Sequence, residues 1–374
     1  MPIPPETILK RQKKLAQALI NAELDGLALN PGPSLTYLTG LHFHLSERPV
    51  VAFFSPTELP TLVLPELESA KVEGLGYDLK PFTYPEDPEE WAAAFKVGAR
   101  AAGLSGVNVG VEDRRLRLLE LRLLQTALPE SHFINAIDAV AKLRMYKDES
   151  EIASMQEAVD IAQKAMGAAL PLIKIGMTEK EVAAELVLQI FRRGSGVELP
   201  FQPIVATGPN SANPHAFPTE RKLAKGDLLV IDWGANVDGY FSDLTRTFGV
   251  GEVNAEQEKI HSTVQDANAA ARETAKPGVT CGDVDKAARE VIEKAGYGEY
   301  FVHRTGHGLG MEGHEEPYIR AGNPMPLEPG MTFTIEPGIY VPGENGVRVE
   351  DDVVVTEEGL LSLSNMERGL RIVG

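Results

Sequence analysis

Gly226-Asp-Leu-Leu-Val-Ile-Asp232-Trp-Gly234 decides the reading of this chain, because Gly330-Met-Thr-Phe-Thr-Ile-Glu336-Pro-Gly338 repeats its pattern 104 residues later. Both are short apolar runs bounded by glycines, the composition of a buried strand, and each carries one carboxylate at the same place. A second pair precedes them. Lys174-Ile-Gly-Met-Thr-Glu-Lys-Glu-Val and Lys276-Pro-Gly-Val-Thr-Cys-Gly-Asp-Val stand 102 residues apart, each followed by a helical stretch ending at a glycine, Gly194 or Gly296. The same order of helix, helix and strand therefore occurs twice, which predicts two α+β halves whose strands face a shared cleft.

Asn236-Val-Asp-Gly239 is a turn signal between two strand-like runs and predicts a hairpin. For any even loop the paired residue numbers sum to an odd value near 475 or 477, which sets Asp232 and Asp243 on one face, opposite or diagonal. Like charges across a strand pair destabilise a sheet. The neighbours Val230, Ile231, Trp233 and Phe241 predict burial, where a bound cation converts that repulsion into attraction. In the second half Glu336 stands where Asp232 does, and Glu350, in Val347-Arg-Val-Glu350-Asp-Asp-Val-Val-Val, occupies the returning strand as Asp243 does.

Between these strands lies Thr305-Gly-His307-Gly-Leu-Gly-Met-Glu-Gly-His314-Glu-Glu-Pro. Its glycines permit close backbone approach and leave His307 unobstructed as a ligand. Gly308-Leu-Gly310-Met-Glu-Gly313 matches a dinucleotide-binding spacing, but Pro317 breaks any following helix and no clear strand leads into the loop. Four carboxylates and one imidazole form a hard, oxygen-rich donor set suited to two divalent ions, with Mn²⁺, Co²⁺, Fe²⁺ and Zn²⁺ all fitting. Two such ions roughly 3.5–4 Å apart generate hydroxide at neutral pH and clamp a tetrahedral intermediate, which is the chemistry of hydrolysis.

The remaining bulk properties agree with an enzyme of two domains. The chain has 374 residues, and at about 100–200 residues per domain two cores are expected. Residues 1–142 read as an α/β domain, with strand-like Gly26-Leu-Ala-Leu-Asn, Val50-Val-Ala-Phe-Phe and Thr61-Leu-Val-Leu alternating with helical stretches. Residues 143–374 form the second domain, opened by an amphipathic helix from Lys147 to about Leu172 with Ile152, Met155, Ala158, Ile161 and Ala162 on its apolar face. Hydrophobic content of 43% and charged content of 24% are ordinary for a soluble protein. A net charge of -18 disfavours nucleic acid and anionic membrane as partners. Cys281 is the single cysteine, so disulfides and multi-cysteine metal sites are excluded, and the first residues lack a secretory signal, which points to the cytoplasm.

These blocks resemble the creatinase, prolidase and aminopeptidase P branch of the M24 metallopeptidases. The resemblance rests on Asp232-Trp-Gly-Ala, Gly239-Tyr-Phe-Ser-Asp243-Leu-Thr-Arg-Thr-Phe, Gly306-His307-Gly-Leu-Gly, His314-Glu, Thr334-Ile-Glu336-Pro-Gly and Gly346-Val-Arg348-Val-Glu350-Asp, in that order. It implies a pita-bread α+β catalytic domain with an internal pseudo-twofold repeat, behind a smaller α/β creatinase-type N-terminal domain. It implies that Asp232, Asp243, His307, Glu336 and Glu350 hold two divalent ions, Mn²⁺ first, with Asp243 and Glu350 touching both. It implies that His215 and His314 bind substrate and stabilise developing charge, that Glu336 assists proton transfer, and that Arg348 supports the metal carboxylates. The expected activity is hydrolysis of Xaa–Pro bonds in dipeptides, or in longer peptides if the enzyme is of the aminopeptidase P type, by a homodimer. Arg48 and His44 are candidates to reach a neighbouring active site. A non-catalytic peptide-binding module or a metal-free creatinase-type enzyme would show lost ligand positions, and all five are retained.

Overall fold

The computed structural model describes residues 3–374, and the chain divides into two compact units, Met1–Arg144 and Met145–Gly374. In the first, the strand-like runs form a six-stranded sheet in the order Lys80–Tyr84, Thr61–Pro65, Val51–Phe54, Gly26–Leu29, Asn108–Val111, His132–Asn135. Val51–Phe54 is antiparallel to both neighbours and the other adjacent pairs are parallel. Parallel pairing needs long crossovers. Helices Pro88–Ala101 and Leu118–Ala127 bring Phe95 and Leu124 into a core with Phe53, Val63 and Val109. Arg48 donates Nε to Glu86 within this unit at 2.8 Å.

The second unit opens with helix Glu149–Ala169, started by a capping box between Asp148 and Glu151. Its buried face includes Met155, Ala158, Val159, Ala162 and Met166, and the Trp233 indole donates to the Ala162 carbonyl at 2.9 Å. In the first turn Glu151, not the expected Ile152, is buried. The reason is a hydrogen bond, because Glu151 accepts from the Tyr240 hydroxyl at 2.6 Å.

The repeat inferred from the sequence is repeated hydrogen bond by hydrogen bond. Helices Glu179–Arg192 and Cys281–Lys294 are each capped by a threonine, Thr178 or Thr280, accepting from the backbone three residues on. Gly176 N–H donates to Leu223 at 2.9 Å and Gly278 N–H to Leu327 at 2.8 Å; Leu223 and Leu327 N–H donate back to Met177 and Val279, both at 2.8 Å. Gly226 and Gly330 both sit at φ near +90°, where a side chain is strained, and their N–H groups donate to Val250 and Val355 at 2.9 Å.

Each half carries its own sheet. The first runs Arg371–Val373, Leu244–Val250, Leu228–Trp233, Ile204–Thr207, and the second Glu315–Ile319, Gly306–Gly308, Thr332–Ile335, Asp351–Thr356, Gly359–Ser362. A bridge between Thr245 and Glu350 joins them. Helices Ala255–Thr274 and Cys281–Lys294 pack Val264, Ala271, Val284 and Ile292 against Phe333, Ile335 and Val353. Cys281 is buried and its thiol is pushed up to about 12 by desolvation, so it serves as a small apolar residue. No helix among the described residues is long and apolar enough to cross a membrane.

Candidate metal and catalytic site

The acid cluster is built by two hairpins whose ladders are interrupted beside their carboxylates. In the first, Thr245 pairs with Asp232 and Tyr240 with Val237, so the paired numbers sum to 477. Asp243, two residues before Thr245, is thus diagonal to Asp232 on the same face. Asp238 and Gly239 occupy the turn at φ 52° and 84°, the double left-handed conformation of a type I′ turn. In the second hairpin Ile335 pairs with Asp351 and Gly338 with Arg348. Glu336 and Glu350 fall in the gap between these pairs, freed from the ladder: Glu336 N–H donates to Thr305 at 2.7 Å and Glu350 N–H to Thr245 at 3.1 Å.

Donor atoms of Asp243, His307 and Glu350 lie within 4.8 Å of one another, and all three residues are buried. His307 Nε2 is 3.7 Å from Asp243 and 3.4 Å from Glu336. Its Nδ1 faces the Gly308 carbonyl at 3.1 Å, which assigns the proton to Nδ1 and leaves the Nε2 lone pair toward the carboxylates. Burial, and then His314, hold the imidazole well below its usual pKa, so it is neutral and available as a ligand.

Crowding shows in the carboxyl groups. Asp243 is driven well above the normal range by burial and by Glu350, Asp232, Asp352 and Glu336. Glu350 is raised by burial, Glu336 and Asp232. Glu336 is raised to about 8, chiefly by burial. Asp232 Oδ1 and Asp352 Oδ1 are buried without a hydrogen-bond partner. An unsatisfied buried carboxylate oxygen is costly, and this crowd of acids around a neutral imidazole fits divalent cations, which would restore the ionised forms and satisfy Asp232 Oδ1.

Arg348 organises one side of the cluster. Its Nη2 donates to Asp232 Oδ2 at 2.5 Å, Nε to Thr245 Oγ1 at 3.0 Å and Nη1 to the Tyr340 hydroxyl at 2.9 Å. Thr245 Oγ1 in turn donates to Glu350 at 2.6 Å. Arg348 therefore reaches Asp232 directly and Glu350 only through Thr245. Tyr340 meets His303 Nε2 at 2.9 Å, while His303 Nδ1 faces the Arg304 carbonyl at 2.7 Å. Nδ1 is then the donor, and Nε2 accepts from the tyrosine.

His314 packs beside His307, the rings tilted by 49° with centroids 3.9 Å apart. Its Nδ1 lies 3.3 Å from Arg304 Nη2, so Nδ1 accepts and Nε2 carries the proton as a donor. Burial, Arg304 and His215 lower it to about 4. His215 is exposed, on the loop after strand Ile204–Thr207, and is close enough to act electrostatically on His314 and His303.

Several residues at the site are outside the sequence reading: Thr245, Tyr340, His303, Arg304 and Asp352, whose Oδ2 accepts the Asp243 N–H at 2.9 Å. Thr245 had a signal, standing two residues from Asp243 on the same strand face. The others meet the cluster through contacts that spacing does not encode.

Comparison with known proteins agrees with this architecture. Residues 153–357 match metallopeptidase family M24 and residues 11–146 match the creatinase/prolidase N-terminal domain. The probable dipeptidase PepE of Mycobacterium tuberculosis is 39% identical, over 98% of this chain and 97% of its own length. An Xaa-Pro dipeptidase of Lactobacillus helveticus is 34% identical over 96% and 98%. The crystal structure of a prolidase from Thermococcus sibiricus superposes with a TM-score of 0.92 at 33% identity, over 99% of this chain and all of that one. With a creatinase-type N-terminal domain ahead of a pita-bread catalytic domain, the chain belongs to metallopeptidase family M24, in its prolidase branch, and is a hydrolase.

Proposed function

We propose that this enzyme cleaves the Xaa–Pro bond of dipeptides, with two divalent ions held by Asp232, Asp243, His307, Glu336 and Glu350 in a catalytic domain of residues 143–374. The observation that carries the reading is the convergence of Asp243, His307 and Glu350 donors within 4.8 Å in a buried cluster of acids. Asp243 and Glu350, each just ahead of a returning strand, would contribute to holding both ions. When bound, the ions supply an activated water and polarise the scissile carbonyl. Glu336, 3.4 Å from His307 Nε2, would be the carboxylate that holds and moves a proton at the site as the bond to the proline nitrogen is cleaved. His314 Nε2–H and His215 donate to the substrate as charge develops, and Arg348 keeps Asp232 oriented. Mn²⁺ is the ion we expect, with Co²⁺, Zn²⁺ or Fe²⁺ able to replace it, in a cytoplasmic homodimer.

The dipeptide preference draws on Arg304. Its guanidinium stacks on Tyr318 at 4.5 Å and contacts His314. A cation in that position suits the free C-terminal carboxylate of a dipeptide. The names of the relatives support the same choice, and Xaa-Pro aminopeptidase action on longer peptides is the rival. Hydrolysis of Ala-Pro beside Ala-Pro-Ala by Mn²⁺-loaded enzyme separates them. Faster turnover of Ala-Pro is expected, tripeptide preference means an aminopeptidase P, and turnover of neither rejects the Xaa–Pro reading.

A further inference from the structure

His215 stands on a surface segment between Thr207 and Thr219, and its position depends on how that segment is held. A short 3-10 turn, Gly208–Ala212, begins it; beyond that the chain is irregular. From the Arg348 side, Arg348 Nη1 donates to the Pro214 carbonyl at 3.3 Å and Gly346 N–H to Ser211 Oγ at 2.7 Å.

From the other side one side chain closes the whole segment. Glu179, fully buried at 0% exposure, accepts from Thr207 N–H at 2.7 Å, from Asn210 Nδ2 with both oxygens at 3.2 Å, and from Thr219 N–H at 2.9 Å and Oγ1 at 2.6 Å. The start, middle and end of the loop thus meet on one carboxylate. Glu179 is the first residue of helix Glu179–Arg192, where the helix dipole favours negative charge. Its own N–H donates to the Arg221 carbonyl at 3.0 Å, tying the departing chain as well. All the side-chain contacts need an acceptor, and only a carboxylate offers acceptors at both oxygens; an amide would turn donors toward donors.

The other half of the repeat holds its histidine segment in a similar way. Asp285, on helix Cys281–Lys294, accepts Thr305 N–H at 3.1 Å and Thr305 Oγ1 at 2.9 Å, two residues before His307. We infer that Glu179 is a positioning residue for catalysis, fixing the Thr207–Thr219 segment so that His215 is presented to the substrate. This rests on the substrate role proposed for His215. Without the carboxylate the segment gains conformations in which His215 points elsewhere, and small misplacements of a catalytic group are known to cost about 100-fold in rate.

The test is a double-mutant cycle on the full-length, Mn²⁺-loaded enzyme, using Glu179→Ala, Glu179→Gln, Thr219→Val and His215→Ala, with Ala-Pro hydrolysis, bound metal and thermal unfolding measured for each. Glu179→Ala is expected to lower kcat/KM about 10–100-fold with bound metal unchanged; in the His215→Ala background the same change should cost less than about threefold. Glu179→Gln and Thr219→Val, which remove fewer contacts, should show the same pattern with smaller losses and serve if Glu179→Ala does not fold. Equal losses with and without His215, or losses that track lost metal, overturn the inference while leaving the His215 role intact. Unchanged activity in His215→Ala removes that role and this inference together, whereas the metal-centre reading stands.

Discussion

At the level of single residues, Arg348 shows how a buried cation disciplines a cluster of acids. Its planar fork reaches Asp232, Thr245 and Tyr340 at once, which a lysine ammonium does not do. Arg348→Lys is expected to lower activity or metal affinity about 10–100-fold, read by metal titration beside kcat. Arg304→Ala should raise KM for Ala-Pro more than for Ala-Pro-amide, which lacks the carboxylate; equal effects on both would remove Arg304 from carboxylate binding. His261, far from these contacts in sequence, is 2% exposed with Nε2 unpartnered, and burial and Arg246 lower it to about 4 from 6.5. A lowered folded pKa means its neutral form contributes full stability above pH 6.5, lost as the pH falls toward 4. The gap corresponds to about 3 kcal/mol, so His261→Leu should blunt the acid destabilisation of unfolding between pH 7 and 4 relative to wild type. Asp232, Asp243, His307, Glu336 and Glu350 were legible because carboxylates inside apolar strand runs are chemically conspicuous. Tyr340, His303 and Asp352 were not, since a tyrosine or an extra aspartate in a strand looks ordinary until the chain brings it to the cluster.

Among the elements, the hairpin and the histidine loop are fastened to each other and to one helix end. Phe241 N–H donates to Gly310 O at 2.8 Å, and Lys147 Nζ grips Glu315, next to His314, at 2.5 Å. This ion pair has side-chain exposures of 1% and 5%. Removing one partner from a buried pair leaves an uncompensated charge, so Lys147→Met should destabilise by about 3–5 kcal/mol, and Lys147→Met with Glu315→Met should recover most of that in denaturant unfolding. A double mutant as unstable as the single would mean that the pair is not what holds the loop. The turn was legible from Asn236-Val-Asp-Gly239, and its register selected the diagonal of the two arrangements open to Asp232 and Asp243. The break in both ladders was not legible: Gly234 and Pro337 hint at it, but the exchange of Glu350 from its own hairpin to Thr245 is a contact between halves.

For the whole molecule, the repeat explains why the acids meet. Each half supplies one carboxylate from an outgoing strand and one from the returning strand, and the bridge between Thr245 and Glu350 brings the pairs together. The repeat was legible because the same glycines and threonine caps recur at nearly constant spacing, each required by a positive φ or an unpaired helix end. Such a concentration of buried acids is balanced by cations, so metal occupancy is the property on which the account turns. The measurement that tests it is titration of chelator-treated protein with Mn²⁺, following heat of binding and Ala-Pro hydrolysis together, with Asp243→Ala as the control. Two ions bound per chain, hydrolysis rising with occupancy and both lost in Asp243→Ala are expected. Undiminished hydrolysis by metal-free protein, or by Asp243→Ala, would contradict the account.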